Sequence, residues 1–102
     1  MIHVIAIITA KPGQRETVLA AFRANVPAVH AEKGCIEYGA TVDADGLGSF
    51  QAKVGPDTFV VVEKWESVDA LRAHSTARHM QEYRVRAKDL VVRVQLQVLK
   101  PA

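Results

Sequence analysis

Residues 58–79 read TFVVVEKWESVDALRAHSTARH, a strand pattern that turns into a helix pattern with no linker between them. Phe59, Val61, Glu63 and Trp65 fall on one face of a strand and Val60, Val62 and Lys64 on the other, because side chains alternate with period two. Thr58, Phe59 and the three consecutive valines are aromatic or β-branched and favour extended backbone, so the strand ends near Trp65. Ser67 then offers a hydroxyl to a free backbone N–H as N-cap. Asp69 puts negative charge in the first turn, where the helix dipole is positive. The helix carries His74, and after a break at Ser75-Thr76 a second N-cap opens a further helical segment with His79. A glutamate, an indole and two imidazoles are thereby gathered at one strand-to-helix junction.

The remaining elements follow by the same rules. Ile2, Val4, Ala6 and Ile8 alternate with His3, Ile5, Ile7 and Thr9, apolar on both sides, as in a strand covered on both faces. Lys11-Pro12-Gly13 turns the chain. From Gln14 to about Lys33, Val18, Leu19, Phe22, Val26 and Val29 recur at helical spacing; Gly34 is expected to close that helix as C′, and Pro27 to kink or restart it near Asn25-Val26. Cys35 to about Val42 is a second strand. Asp43-Ala44-Asp45-Gly46 begins a long excursion over residues 43–57, in which Ser49 to Lys53 could extend a hairpin and Phe50 has no evident core to join. After the helical region, which continues to about Asp89, Leu90 to Leu99 is a last strand with Arg93, Gln95 and Gln97 on its polar face.

The order strand, helix, strand, strand, helix, strand predicts an α+β fold, a ferredoxin-like βαββαβ with a four-stranded antiparallel sheet and the helices on one face. At 102 residues the chain is expected to form a single domain, residues 1–102. Helices cover only one face of such a sheet, yet two strands are apolar on both. With 49% hydrophobic residues, the economical cover for the open face is a second copy of the chain, giving a two-fold homodimer.

Composition narrows the partners. The net charge of +2 comes from 13 basic and 11 acidic residues without a block of one sign, which argues against nucleic acid, and Arg84, Arg86 and Lys88 read as a solvated helix face. The apolar N-terminal stretch is too short to span a membrane and lacks a signal peptide's basic start, and one cysteine suits a reducing compartment; the expected location is the cytoplasm. Gly-rich phosphate loops, G-x-G-x-x-G and G-x-S-x-G are absent, which argues against nucleotide, flavin-Rossmann and serine-hydrolase chemistry, and without an i,i+4 zinc pair or a thiolate cluster no metal is expected.

Among the junction residues, His74 is the candidate catalytic group: an imidazole changes protonation near neutral pH and can act as a base or bond a phenol. Equally, it could be a packed ring bonded to a carboxylate such as Glu63. His79 lies about 140° round an ideal helix from His74, so only the break lets the two converge. Glu63 could orient a histidine, though a strand-face glutamate more commonly pairs with a cation such as Arg93. Trp65 is a cavity wall or simply core. Tyr38, His3 and Arg93 could add polar groups to a mainly apolar pocket suited to a flat aromatic ligand.

Gly34-Cys35-X-X-Tyr38, Phe59-X-X-X-Glu63-X-Trp65, Ala70-Leu71-X-X-His74 and His79-Met80 together resemble the signature of the antibiotic biosynthesis monooxygenase domain, within the dimeric α+β barrel superfamily. The resemblance spans nearly the whole chain. It implies a dimer whose sheets face each other, a pocket between sheet and helices, and cofactor-independent oxidation of a quinol or anthrone-like aromatic by O₂. The haem-degrading branch is disfavoured: the first strand has no Asn, the helix no Trp, and no His follows His79. Two alternatives stay open. One is a non-catalytic dimer that binds a small hydrophobic metabolite. The other is an isomerase of a phosphorylated autoinducer-type diketone, which would need cations such as Arg78 and Arg93 at the pocket.

Overall fold

The computed structural model describes residues 1–102. Strands β1 (Ile2–Ala10), β2 (Cys35–Thr41), β3 (Thr58–Trp65) and β4 (Val91–Leu99) form one antiparallel sheet in the order β2-β3-β1-β4. Helices α1 (Arg15–His30), α2 (Val68–Thr76) and α3 (Arg78–Ala87) complete the expected βαββαβ plan, its second helical region divided in two. No helix is long and apolar enough to cross a membrane.

Alternation decides which side chains meet the helices. Val4, Ala6, Ile8 and Ala10 of β1 and Phe59, Val61, Glu63 and Trp65 of β3 are buried on the helix side. Ile5, Ile7, Val60 and Val62 are half-buried on the other. Phe22 of α1 is the hub of the core, stacked on Tyr38 at 5.2 Å and edge-on to Phe59 and Tyr83 at 5.8 and 6.2 Å between ring centres.

Local expectations fared unevenly. Ser67 caps α2 by accepting from Ala70 N at 3.1 Å. The break comes at Ala77, whose ψ of 142° is extended, rather than at Ser75-Thr76, and Ala77 stands at the N-cap of α3 without a side-chain bond. Pro27 neither restarts nor ends α1, which runs unbroken for 16 residues. It removes a single bond close to the helix end, and its own carbonyl still accepts from Ala31 N.

Gly34 serves a different purpose from the one its position suggests. The helix is already closed at Ala31, and Gly34, at φ +88°, carries the chain against α2. A Cβ there would stand 2.6 Å from the Ala70 Cβ, so only glycine fits. Ser49 to Lys53 add no strand. Gly48–Phe50 is a single 3₁₀ turn with the Phe50 side chain exposed, and the loop is tied down by the Asp43 carboxylate, which accepts from Val54 N and Gly55 N at 2.9 Å each.

Candidate functional site

A cavity of about 490 Å³ opens between the helix side of the sheet and helices α2 and α3. Ala6, Ile8, Val61, Leu71 and Met80 make its walls largely apolar, and Val94 and Leu96 of β4 form one lip. Its polar groups are few: Tyr38, Glu63, His74, Ser75 and Tyr83 within, and Arg84 and Lys88 along α3.

His74, in the last turn of α2, is only 4% exposed and borders this cavity. Its Nδ1 lies 2.8 Å from Glu32 Oε2. An ionised carboxylate can only accept, so the proton of the neutral ring sits on Nδ1 and the lone pair on Nε2, which no other protein group bonds. The ring is held from two sides, 4.6 Å from the Trp65 ring centre and 5.4 Å from that of Tyr38. Glu32 itself is largely buried. It reaches the site because the turn after α1 and the positive-φ Gly34 press that segment against α2.

His79 meets the same oxygen: its Nε2 is 3.1 Å from Glu32 Oε2, and its ring centre 6.5 Å from that of His74. The approach is poorly aligned for a hydrogen bond, and neither ring nitrogen has a bonding partner of good geometry. Convergence of the two imidazoles depends on the extended residue Ala77 between α2 and α3. His79 lies behind His74, outside the cavity lining. No three His, Cys, Asp or Glu side chains converge as metal ligands would.

Glu63 is buried in the cavity wall and accepts from Trp65 Nε1 at 2.9 Å, two residues along the same strand face. Burial pushes its carboxyl above the ordinary range, against the opposing pull of the indole N–H and of His74; the nearby Glu32 charge adds to the rise. Burial likewise drives the Tyr38 phenol far up, so it stays a neutral donor, and its hydroxyl has no partner within the protein. The Cys35 thiol is half-buried and pushed up by burial and by Glu32 and Glu63, unlike a reactive thiolate.

The structure therefore brings His74, Glu63 and Tyr38 to the cavity, with Trp65 and His79 just behind. His3 and Arg93 are not brought there. His3 pairs with Lys64 and Leu99, and Arg93 with Thr9, on the sheet face turned away from the helices, because the buried side of β1 takes its even-numbered residues. For the same reason Arg93 cannot pair with Glu63, whose partner is the indole. Arg78 is solvent-exposed and bonds Glu82 at 3.2 Å, away from the cavity. The carboxylate partner of His74 is Glu32, not Glu63.

Arg84, Arg86 and Lys88 are solvent-exposed, as a solvated helix face requires, and Arg84 and Lys88 also edge the cavity; Glu32 is the site residue that the sequence does not single out. Glu32 follows a helix end between Ala31 and Lys33, where a charged residue reads as solvated. The one clue is that Gly34-Cys35 opens the strand whose first residue pairs with Trp65.

The family described as antibiotic biosynthesis monooxygenase matches this chain over residues 1–86. The probable quinol monooxygenase YgiN of Escherichia coli strain K12 is 40% identical over 103 residues, covering 99% of this chain and 98% of YgiN. Among solved structures, Rv0793 from Mycobacterium tuberculosis superposes with a TM-score of 0.80 at 29% identity, covering 99% of this chain and 94% of that one. PA3566 from Pseudomonas aeruginosa gives a TM-score of 0.80 at 27% identity, covering 99% and 93%.

Proposed function

This chain belongs to the antibiotic biosynthesis monooxygenase family, and from that premise we propose that it oxidises a quinol or anthrone-like aromatic with O₂, as a cofactor-independent homodimer. The observation that carries the reading is the His74 imidazole, its Nδ1 engaged by a largely buried carboxylate and its Nε2 left for a ligand in a mainly apolar cavity.

In this reading His74 Nε2 takes the proton of a bound phenol. Glu32 holds the ring in the right tautomer and stabilises the imidazolium that forms. The neutral Tyr38 hydroxyl is the donor for the phenolate oxygen, and Glu63, its carboxyl pushed up by burial, lies in the same wall. The apolar walls keep water from the anion. The electron-rich anion then reduces O₂ and recombines with it at ring carbon. The imidazolium returns its proton to the peroxide anion, and loss of water from the resulting hydroperoxide, with the hydrogen of the same ring carbon, leaves one oxygen atom in the product and the other in water. Trp65 and His79 act from behind, the first packing on His74 and the second sharing Glu32.

The half-buried Ile5, Ile7, Val60 and Val62 on the open face support pairing with a second copy. Sedimentation of the protein should give twice its 11.1 kDa mass, and Val62→Lys should shift it toward the monomer. The single half-buried thiol suits the cytoplasm.

Oxygen uptake by chelator-treated protein with a panel of hydroquinones tests the reaction. The expected result is saturable consumption above autoxidation, with one atom of isotope-labelled O₂ retained in the product. Saturable binding without such consumption favours the non-catalytic binder instead.

A further inference from the structure

We propose that the cavity is built for an aromatic ligand carrying an anionic substituent, held by Arg84 and Lys88 at the end away from His74. The inference rests on the reading of this cavity as the ligand site and deepens it by naming a substrate class.

Strand register shows that the cavity has two chemically different ends. Glu63 sits opposite Val4 at one end, while Val91 pairs with Ala10 at the other, six residues along β1 or roughly 20 Å. Lys88 closes α3 just before Val91, and Arg84 lies one helical turn earlier on the same side. Both line the cavity. The first end therefore holds the His74 imidazole with Tyr38 and Glu63, and the second holds two cations.

Neither cation is neutralised by the protein. Arg84 and Lys88 make no ion pair and no side-chain hydrogen bond; Lys11, Arg23, Lys33, Arg86, Arg93 and Lys100 are equally unpaired, but of these free cations only Arg84 and Lys88 line the cavity. The only carboxylate in the lining is Glu63, which burial biases toward its neutral form. The facing lip, Val94 and Leu96, brings no charge. Both cations are exposed at the open rim of the cavity, so their positive potential meets a ligand as it enters and is screened by salt. A carboxylate, sulfonate or phosphate on the far side of a flat ring system would meet both cations while the phenol meets His74.

A plainer account is that cations in the last turn of α3 complement the helix dipole. That account predicts an effect on stability but none on ligand choice, so it can be told apart.

The test is calorimetric binding of naphthalene-2-sulfonate and of its neutral isostere naphthalene-2-sulfonamide to the full chain. Wild type should bind the sulfonate about tenfold more tightly than the sulfonamide, and the preference should shrink as salt is added. In the Arg84→Gln/Lys88→Gln double variant the ratio should fall to near one. Equal affinities in wild type, a preference that survives in the folded double variant, or no saturable binding of either compound would each overturn the proposal. Oxygen uptake by wild type with neutral naphthohydroquinone reports separately on the monooxygenase reading, so the two can fail independently.

Discussion

His74 Nδ1 and Glu32 Oε2 stand 2.8 Å apart across 42 positions of sequence. The pair joins the end of α2 to the turn that leaves α1, and it gives the cavity an imidazole with a defined tautomer. Replacing the carboxylate by an amide removes that definition, since an amide nitrogen can donate to Nδ1 and leave the proton on Nε2. Glu32→Gln should therefore lower kcat for quinol oxidation by about a hundredfold or more, with KM changed far less and the circular-dichroism spectrum retained. A matching fall in binding, or an unchanged kcat, would assign Glu32 a structural role only.

Glu63 gives a prediction in pH. Burial holds its folded-state carboxyl above the ordinary 4.5, so the native state keeps this proton longer than the unfolded chain does. Its contribution to stability is then fully present below pH 4.5 and is lost as pH rises through the raised native value. Glu63→Gln keeps an acceptor for Trp65 Nε1 but cannot ionise. Urea midpoints should show the variant gaining on wild type between pH 4 and pH 7.5. A constant difference between the two proteins would contradict the assignment.

Gly34 couples the backbone to the site. Gly34→Ala would force a methyl to within 2.6 Å of the Ala70 Cβ at a φ of +88° that alanine resists. The expected cost is about 1–3 kcal/mol in chemical denaturation. Because the same segment carries Glu32, activity should fall further than the loss of folded protein explains. Stability like that of wild type would mean that the close approach is not a constraint.

The βαββαβ order and the sheet faces were readable from the chain because period-two and helical patterns are local. The alternation groups Glu63 and Trp65 with Phe59 and Val61 on one face without any knowledge of pairing, whereas the choice of that face for the helices is seen only in the burial. Ser67 announced its cap in the same local way. What escaped was whatever depends on which strand lies beside which, and in what register. His3 and Arg93 are polar residues on apolar strands and looked like cavity groups, but the pairing of Thr9 with Arg93 turns Arg93 to the open face. Glu32 could not be singled out, since its burial comes from Gly34 meeting Ala70, a contact between distant segments. Arg84 and Lys88 lie on a solvated helix face, as their pattern says; that they also edge a cavity depends on β4 lying across from them.

If His74 Nε2 is the base in this cavity, its removal must show in oxygen consumption on naphthohydroquinone, measured for wild type and His74→Ala with each corrected for autoxidation. Loss of a positioned general base should slow the reaction by about 10²–10⁴-fold while the protein stays folded. Equal rates in the two proteins would contradict the account.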